Sequence, residues 1–294
     1  MRSGNARIGV RRLTADDVGA IDTLLRAAYG VDRPYRERIE LYLRQRGAQP
    51  LVAEYDGRVA GVVCGNDYGT SAYVSLMGVD PALQRRGIGS ALMTALIAWC
   101  DERGFRDVRL DATDAGAPLY ERFGFVDFGA TIVFERGDTT ERERSAERLR
   151  AEEPPPRARI AAATERDVAA IARIDAVAFG ADRSPMLEPL LAAHGALLAS
   201  NERGYVVVQR SLPYARIGPW IAADAGIARE LLEAALAKLK GRRLGLSVPA
   251  TNEAAVDLVA AAGIAPTGRL RHMIRGAGKL PSRMVFGRVN LGQG

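Results

Sequence analysis

An internal repeat most strongly constrains the fold of this 294-residue chain. The segment "TADDVGAIDTLLRAAYGVDR", Thr14 to Arg33, aligns without a gap on "TERDVAAIARIDAVAFGADR", Thr164 to Arg183, and nine of the twenty positions are identical. A repeat of this kind indicates two copies of one fold in tandem, and the length of the chain also suits two domains better than one. We therefore expect two related domains.

The stretch between the two copies has the composition of a linker. Acidic residues and arginines are interleaved in "ERGDTTERERSAERLRAEEPPPRAR", and a run of three prolines follows them. Such a charge pattern suits a solvated helix, and consecutive prolines end a helix and stiffen an extended exit. We predict a domain over residues 1–137, a linker over 138–158 and a second domain over 159–294.

The first half contains a clear order of predicted elements. It reads as one strand, two helices, a meander of three strands, a helix, a strand, a helix and a last strand, with "DG" at the first hairpin turn of the meander. Thr14 and Thr164 are suited to cap the first helix of each half. The predicted fold class is α/β (α+β), with a mixed, mostly antiparallel sheet flanked by helices in each domain.

Composition excludes several classes of protein. With 48% apolar residues and no apolar run of spanning length, the chain is expected to be globular and cytoplasmic, without contact with a membrane. Cys64 and Cys100 have neither metal-ligand nor disulfide spacing, so we expect no metal. The net charge of +6 is scattered, without the aromatic-interleaved basic stripe of nucleic-acid-binding proteins.

A Gly-rich turn in the first half has the features of an anion site. In "LMGVDPALQRRGIGSALMTALIAW" a predicted strand is followed by arginines and glycines and then by a helix. The first amides of a helix lack intrahelical partners and lie in a field that favours anions. Glycine lets a phosphate approach these amides, and Arg85 and Arg86 add positive charge. The turn therefore favours a phosphate-bearing ligand.

The same residues resemble the acetyl-CoA signature of the GNAT superfamily of N-acetyltransferases. In that signature Gln or Arg is followed by two residues, Gly, any residue, and Gly or Ala, here Gln84, Gly87 and Gly89; "APLYERFGF" resembles a later motif of the family. The resemblance implies acetyl-CoA as co-substrate and a catalytic tyrosine, Tyr120, as general acid. It implies that the pyrophosphate is bound by Gln84, Arg85, Arg86, Gly87, Ile88, Gly89 and Ser90, and the pantetheine arm by the backbone of Met77, Gly78 and Val79.

The general base is left open. Many family members use a glutamate or a chain of water molecules, but the strand "SAYVSLMGV" has no carboxylate, and both histidines, His194 and His272, lie in the second half. Glu54, Asp111 and Asp114 are candidates, although acidic residues at strand ends and caps are usually structural.

The second half lacks the features that carry the chemistry. An alignment of the two halves sets Asp224 on Arg85, Gly226 on Gly87, Ala228 on Gly89 and Val259 on Tyr120. A carboxylate repels a pyrophosphate, and valine donates no proton. The whole chain thus resembles tandem GNAT proteins that pair an active N-terminal domain with a degenerate C-terminal one.

These observations predict an N-acetyltransferase that moves an acetyl group to a primary amine of a small molecule by direct transfer in a ternary complex. The alternatives are a non-catalytic acyl-CoA-binding or sensing protein, and an acetyltransferase that acts on a protein amine. The second domain either shapes the acceptor pocket or only stabilises the first. We expect a monomer or a homodimer.

Overall fold

A computed structural model describes residues 7–32, 34–137, 160–210, 214–239, 242–279 and 282–294. The predicted linker, 138–158, lies outside the described residues.

By its internal contacts the chain divides into two compact units. The described residues of 1–110, 115–126 and 274–277 form unit 1, and those of 111–114, 127–273 and 278–294 form unit 2. Each unit therefore contains short segments from both halves of the chain. The predicted boundaries at 137 and 159 follow the order of the repeat along the sequence and stay a prediction.

Unit 1 contains most of the elements predicted for the first half. These are β1 (Ile8–Arg12), α1 (Val18–Tyr29), α2 (Arg36–Arg44), β2 (Ala48–Tyr55), β3 (Arg58–Asp67), β4 (Ser71–Val79), α3 (Ile88–Arg103), β5 (Asp107–Ala112, whose last two residues belong to unit 2) and α4 (Ala117–Glu121). The strands lie in the order β1-β2-β3-β4-β5, with antiparallel pairs except for the parallel pair β4–β5. The predicted mixed α/β fold is confirmed.

Local sequence signals account for the ends of these elements. Asp56 and Gly57, the predicted hairpin turn, both have positive φ (49° and 78°), as a tight two-residue turn between antiparallel strands requires. Thr14 and Asp17 form a reciprocal capping box before α1. Asp17 also binds Arg11, with 2.7 Å between the Arg11 guanidinium and the carboxylate, and this bond is the largest cause that lowers the pKa of Asp17 to about 2.

After one strand from the first half of the chain, unit 2 has the elements of unit 1 in the same order, and then two further strands. Its elements are β6 (Val126–Arg136, from Asp127 onward), β7 (Ile160–Ala162), α5 (Val168–Phe179), α6 (Ser184–His194), β8 (Leu197–Ala199), β9 (Gly204–Arg210), β10 (Tyr214–Ala222), α7 (Ala225–Lys238), β11 (Arg243–Pro249), α8 (Glu253–Ala261), β12 (Ala265–Gly276, up to Met273) and β13 (Val285–Gly287). The strand order is β12-β6-β11-β10-β9-β8-β7, and β13 also pairs with β10. A capping box of Thr164 and Asp167 again precedes the first helix.

The described residues were compared with the requirements of a membrane span and of a metal site. None of their helices is long and apolar enough to cross a lipid bilayer. Within these same ranges, no three His, Cys, Asp or Glu side chains come together in a way that could hold a metal ion.

Candidate functional site

The central strands of unit 1 separate to form a cleft. Strands β4 and β5 pair only from Ser71 to Tyr73, opposite Asp107 to Arg109. Beyond that point residues 74–79 of β4 pair with β3 alone, and a bulge places Leu76 at φ 53°. A strand with one unpaired side offers its backbone groups to an extended ligand. The predicted positions Met77, Gly78 and Val79 lie on this part of β4.

The loop after β4 ends at the helix terminus predicted to bind phosphate. Helix α3 begins at Ile88 with Gly87 as its N-cap, and its first backbone bond runs from the Ala91 amide to the Gly87 carbonyl at 2.9 Å. In the part of the chain that the structure describes, the amides of residues 85–90 donate no hydrogen bond. Residues 84–87 are exposed. A row of free amides at a helix N-terminus can bind a phosphate group.

Each glycine at the cleft has its own structural reason. Gly87 has φ 86°, a left-handed conformation that other residues adopt at a cost. A Cβ at Gly89 would lie 3.3 Å from both Leu119 Cδ2 and Met77 Cε. A Cβ at Gly78 would lie 2.9 Å from Leu25 Cδ2 of α1. Gly89 thus lets α3 pack closely on α4 and β4, and Gly78 lets β4 pack closely on α1.

Arginines lie beside the free amides. Arg85 is exposed, whereas the Arg86 guanidinium donates to the Tyr55 hydroxyl at 3.1 Å and stacks on its ring at 5.5 Å. Arg122, which we did not predict, donates to Ser90 Oγ at 3.1 Å. Its position in "LYERFGF", two residues after the catalytic candidate, was the signal that could have identified it.

Tyr120 lies on α4 and is 7% exposed. Its ring meets that of Phe125 edge-on, with 6.0 Å between centroids. Among the described residues its hydroxyl makes no hydrogen bond, and burial raises the pKa of Tyr120 well above its usual value. The hydroxyl is therefore protonated at neutral pH, as a general acid must be.

Tyr29, at the end of α1, is a second tyrosine of this region that sequence reasoning missed. Its hydroxyl donates to the Met77 carbonyl at 3.1 Å. Tyr29 is 42% exposed, so the hydroxyl lies at the surface of the cleft. The repeat contained a signal for this residue, because the aligned position in the second copy is Phe179, which lacks the hydroxyl.

The three candidate bases have different surroundings. Glu54 is bound by Arg11 at 2.8 Å. Asp114 is exposed. Asp111, in unit 2, is buried and accepts from Thr131 Oγ1 at 2.7 Å, and its Oδ1 lies 3.1 Å from His272 Nδ1. The association of Asp111 with His272 was not predicted, because the two residues are far apart in sequence.

Unit 2 has a comparable helix terminus that is already occupied. Helix α7 begins at Ala225, and the Asp224 carboxylate caps it by accepting from the Ile227 amide at 2.9 Å. Only residues 223–224 lie between β10 and α7, whereas residues 80–87 lie between β4 and α3. The phosphate loop is therefore absent from unit 2.

The buried faces of the two helices agree with the alignment of the halves. Ile227 and Leu231 of α7 are buried, as are Ile88 and Leu92 of α3, and each pair is 139 residues apart. In this alignment α7 begins earlier than α3, so that Asp224, set on Arg85, is the N-cap of its helix. Val259, set on Tyr120, is fully buried in the apolar core of unit 2.

Comparison with known proteins identifies the family. The Acetyltransferase (GNAT) family matches residues 19–125, and a second Acetyltransferase (GNAT) domain matches residues 171–286. The chain belongs to the GNAT acetyltransferase family and has two GNAT domains in tandem. A Pyrococcus horikoshii protein assigned to the acetyltransferases has a similar structure, with a TM-score of 0.81 and 26% identity over 98% of this chain and 96% of that one.

Curated relatives match only in part. The N-acetyltransferase YitH of Bacillus subtilis is 28% identical over 170 residues, 56% of either protein. The mycothiol acetyltransferase of Acidothermus cellulolyticus is 36% identical over 90 residues, 30% of this chain and 28% of that protein. The chain thus spans about half or less of the length of these relatives. GNAT enzymes use acetyl-CoA as co-substrate, in agreement with the predicted ligand class.

Proposed function

We propose that unit 1 transfers an acetyl group from acetyl-CoA to a primary amine of a small molecule, with both substrates bound at once. The observation that carries this proposal is the combination of free amides at residues 85–90 with the unpaired side of β4. These two features suit the phosphate and pantetheine parts of one ligand. The name of the partly matching mycothiol acetyltransferase supports a small acceptor.

The residues of unit 1 fit the parts of acetyl-CoA. The amides from Arg85 to Ser90 are suited to the pyrophosphate, with Gln84, Arg85, Arg86 and the newly found Arg122 at its edge. The dipole of helix α3, whose positive end lies at Gly87, favours the same anion. The backbone of Met77, Gly78 and Val79 is suited to pair with the amide groups of the pantetheine arm, as a neighbouring strand would.

In the proposed reaction the neutral amine attacks the thioester carbonyl, the C–S bond breaks, and the sulfur leaves as a thiolate. Tyr120 donates its proton to that sulfur, and the nitrogen that has attacked loses a proton as the amide forms, which restores Tyr120 directly or through water. The raised pKa keeps the hydroxyl proton on Tyr120 at neutral pH until the sulfur leaves. Direct attack needs both reactants held at close range, and this positioning supplies a large part of the rate.

A side chain is not required as the proton acceptor. Glu54 is paired with Arg11, and Asp111 is engaged by Thr131 and His272. We propose that the ammonium form of the acceptor loses its proton to water before attack. The pH profile of kcat/KM should then rise up to the pKa of the amine used, and it should shift when an amine of different pKa is substituted.

The test is a panel of amines assayed by the release of the CoA thiol. The panel contains small primary amines together with peptides that offer a free N-terminus or a lysine. We expect turnover with at least one small amine and little with the peptides. Tight binding of acetyl-CoA without turnover of any amine would indicate a sensor, and turnover of peptides alone would indicate a protein acetyltransferase.

A further inference from the structure

The cleft of unit 2 is filled by the chain itself. Strands β10 and β11 pair only over residues 214–216 and 243–245 and then separate. Residues 282–294, which we call the strap, enter the gap. Gly287 and Val285 pair with Trp220 and Ile221 of β10, and the Arg288 amide donates to the Ser247 carbonyl of β11 at 2.7 Å. The strap therefore bonds to both strands of the cleft.

The strap occupies the place that corresponds to the pantetheine arm of unit 1. Strands β4 and β10 are both nine residues long, and in each the first three residues pair with the parallel neighbour. Counted from these pairs, the residues of β10 that meet the strap, Trp220, Ile221 and Ala222, correspond to Met77, Gly78 and Val79. The Ala222 amide donates to the Met284 carbonyl at 3.0 Å.

Buried amide side chains bind the strap through its backbone. Asn252 Nδ2 donates to the carbonyls of Arg283 at 2.8 Å and Val285 at 3.0 Å. Gln209 Nε2 donates to the Val289 carbonyl at 3.0 Å. Asn252 is 7% exposed and Gln209 9%. Because these donors meet carbonyl groups, they recognise an extended chain largely independently of its side chains.

A buried arginine holds the far part of the strap. Arg183, which is 1% exposed, donates to the Gly294 backbone oxygen at 2.8 Å. The guanidinium is fixed by two bonds to Asp175, which also accepts from the Tyr205 hydroxyl at 2.5 Å, and it lies 4.0 Å from the centre of the Phe179 ring. A paired and fully bonded guanidinium is a rigid donor.

Two glycines make room for the strap. Gly218, at φ 146°, carries no Cβ, and a Cβ there would overlap the Arg288 backbone oxygen. A Cβ at Gly287 would lie 3.2 Å from Trp220 Cβ, a tight contact with a fully buried ring system. The cleft of unit 2 therefore accepts an extended backbone only with a small residue at position 287.

We propose that unit 2 is a GNAT domain whose cofactor cleft has become a peptide-binding site, with the strap as its resident ligand. Asn252, Gln209 and Arg183 recognise the extended backbone, and the Gly287 position selects for glycine. The Asp224 carboxylate holds the helix terminus that would otherwise receive phosphate. The ligand class of unit 2 is thus an extended peptide rather than an acyl-CoA.

The test uses the full chain with a protease site inserted between Ala277 and Gly278, cut only after folding. Native mass spectrometry then measures how much of the cut peptide, which contains the strap, stays bound. It also follows the replacement of this peptide by isotope-labelled peptides of residues 278–294. We expect the cut strap to stay bound, and the labelled wild-type and Arg283→Ala peptides to exchange in equally, because only the backbone of Arg283 is used. A Gly287→Val peptide should compete at least tenfold less well.

Three results would overturn the proposal. They are loss of the cut strap with no change in the thermal melting of the protein, equal competition by the Gly287→Val peptide, and displacement of the strap by coenzyme A in millimolar excess. If the cut protein precipitates, hydrogen exchange in the uncut chain replaces this assay. There, Asn252→Asp keeps the side-chain oxygen that caps α8 and removes the Nδ2 donor. It should speed exchange of the Ala222 amide at least tenfold and leave the Ala91 amide of unit 1 unchanged, and an unchanged rate at Ala222 would refute the role of Asn252 in holding the strap.

Discussion

The proposed phosphate site of unit 1, at the amides of residues 85–90, can be tested by placing a negative charge at Gly89. This residue is the second of α3 and lies among the amides of residues 85–90. A carboxylate about 5 Å from a pyrophosphate of about two charges is repelled by about 2 to 7 kcal/mol, for effective dielectric constants between about 80 and 20. Gly89→Glu should therefore weaken coenzyme A binding by roughly thirtyfold to more than ten-thousandfold.

The matched control is Gly89→Gln, which has the same shape without the charge. Both variants bring a Cβ to 3.3 Å from Leu119 Cδ2 and Met77 Cε, so the steric effect is common to both. The affinity difference between Glu and Gln then reports the charge alone, and it should shrink as salt is added. An acidic residue in the first helical turn is usually stabilising by about 0.3 to 1 kcal/mol, so the Glu variant should melt no lower than the Gln variant.

Titration calorimetry with coenzyme A measures these affinities. If Gly89→Glu bound coenzyme A as tightly as the wild type, the amides of residues 85–90 would not be the phosphate site. Equal losses in the Glu and Gln variants would mean that Gly89 serves only packing and that the anion binds elsewhere.

Three further predictions concern the acid, the stability of unit 1 and the number of sites. Tyr120→Phe should lower kcat by about 10²- to 10⁴-fold with little change in the Kd of acetyl-CoA, and unchanged turnover would remove Tyr120 from the mechanism. Because the folded pKa of Asp17 is about 2, below its unfolded value of about 4, the shift corresponds to at most about 2.7 kcal/mol of stability above pH 4. Arg11 is 41% exposed, and screening by solvent reduces this to about 1 kcal/mol, which is lost as the pH falls from 4 through 2. Asp17→Asn should therefore lower the urea midpoint more at pH 7 than at pH 3, and equal losses would contradict the linkage. Native mass spectrometry should count one acetyl-CoA per chain, whereas two would contradict the assignment of unit 2.

The sequence predicts the elements of unit 1 well because their signals are local. The bounds of β4 were predicted as they occur, since "SAYVSLMGV" is a short apolar segment between turn residues. The turn at Asp56 and Gly57 and the cap at Thr14 were likewise predicted from neighbouring residues. In each case the physical cause lies within a few residues of the element.

Contacts between distant segments could not be predicted in this way. His272 lies beside Asp111 and Thr131 because strands far apart in sequence belong to one unit, and no local pattern records that pairing. The early start of α7 was not predicted either. The alignment sets Asp224 on Arg85 of the loop, but in unit 2 this residue is already the N-cap of the helix.

The two clefts show how one backbone geometry serves two ligands. Both contain a bulge with positive φ, at Leu76 in unit 1 and at Gly218 in unit 2. A left-handed leucine costs about 1 kcal/mol or more, so unit 1 keeps the bulge at a cost where its strand edge is open. In unit 2 glycine adopts the bulge without that cost, and the strap passes directly against it. Unpaired strand groups must be satisfied in either case. In the cleft of unit 2 the strap satisfies them permanently, whereas in the described part of unit 1 the strand edge of the cleft stays free to bind and release a ligand in each turnover.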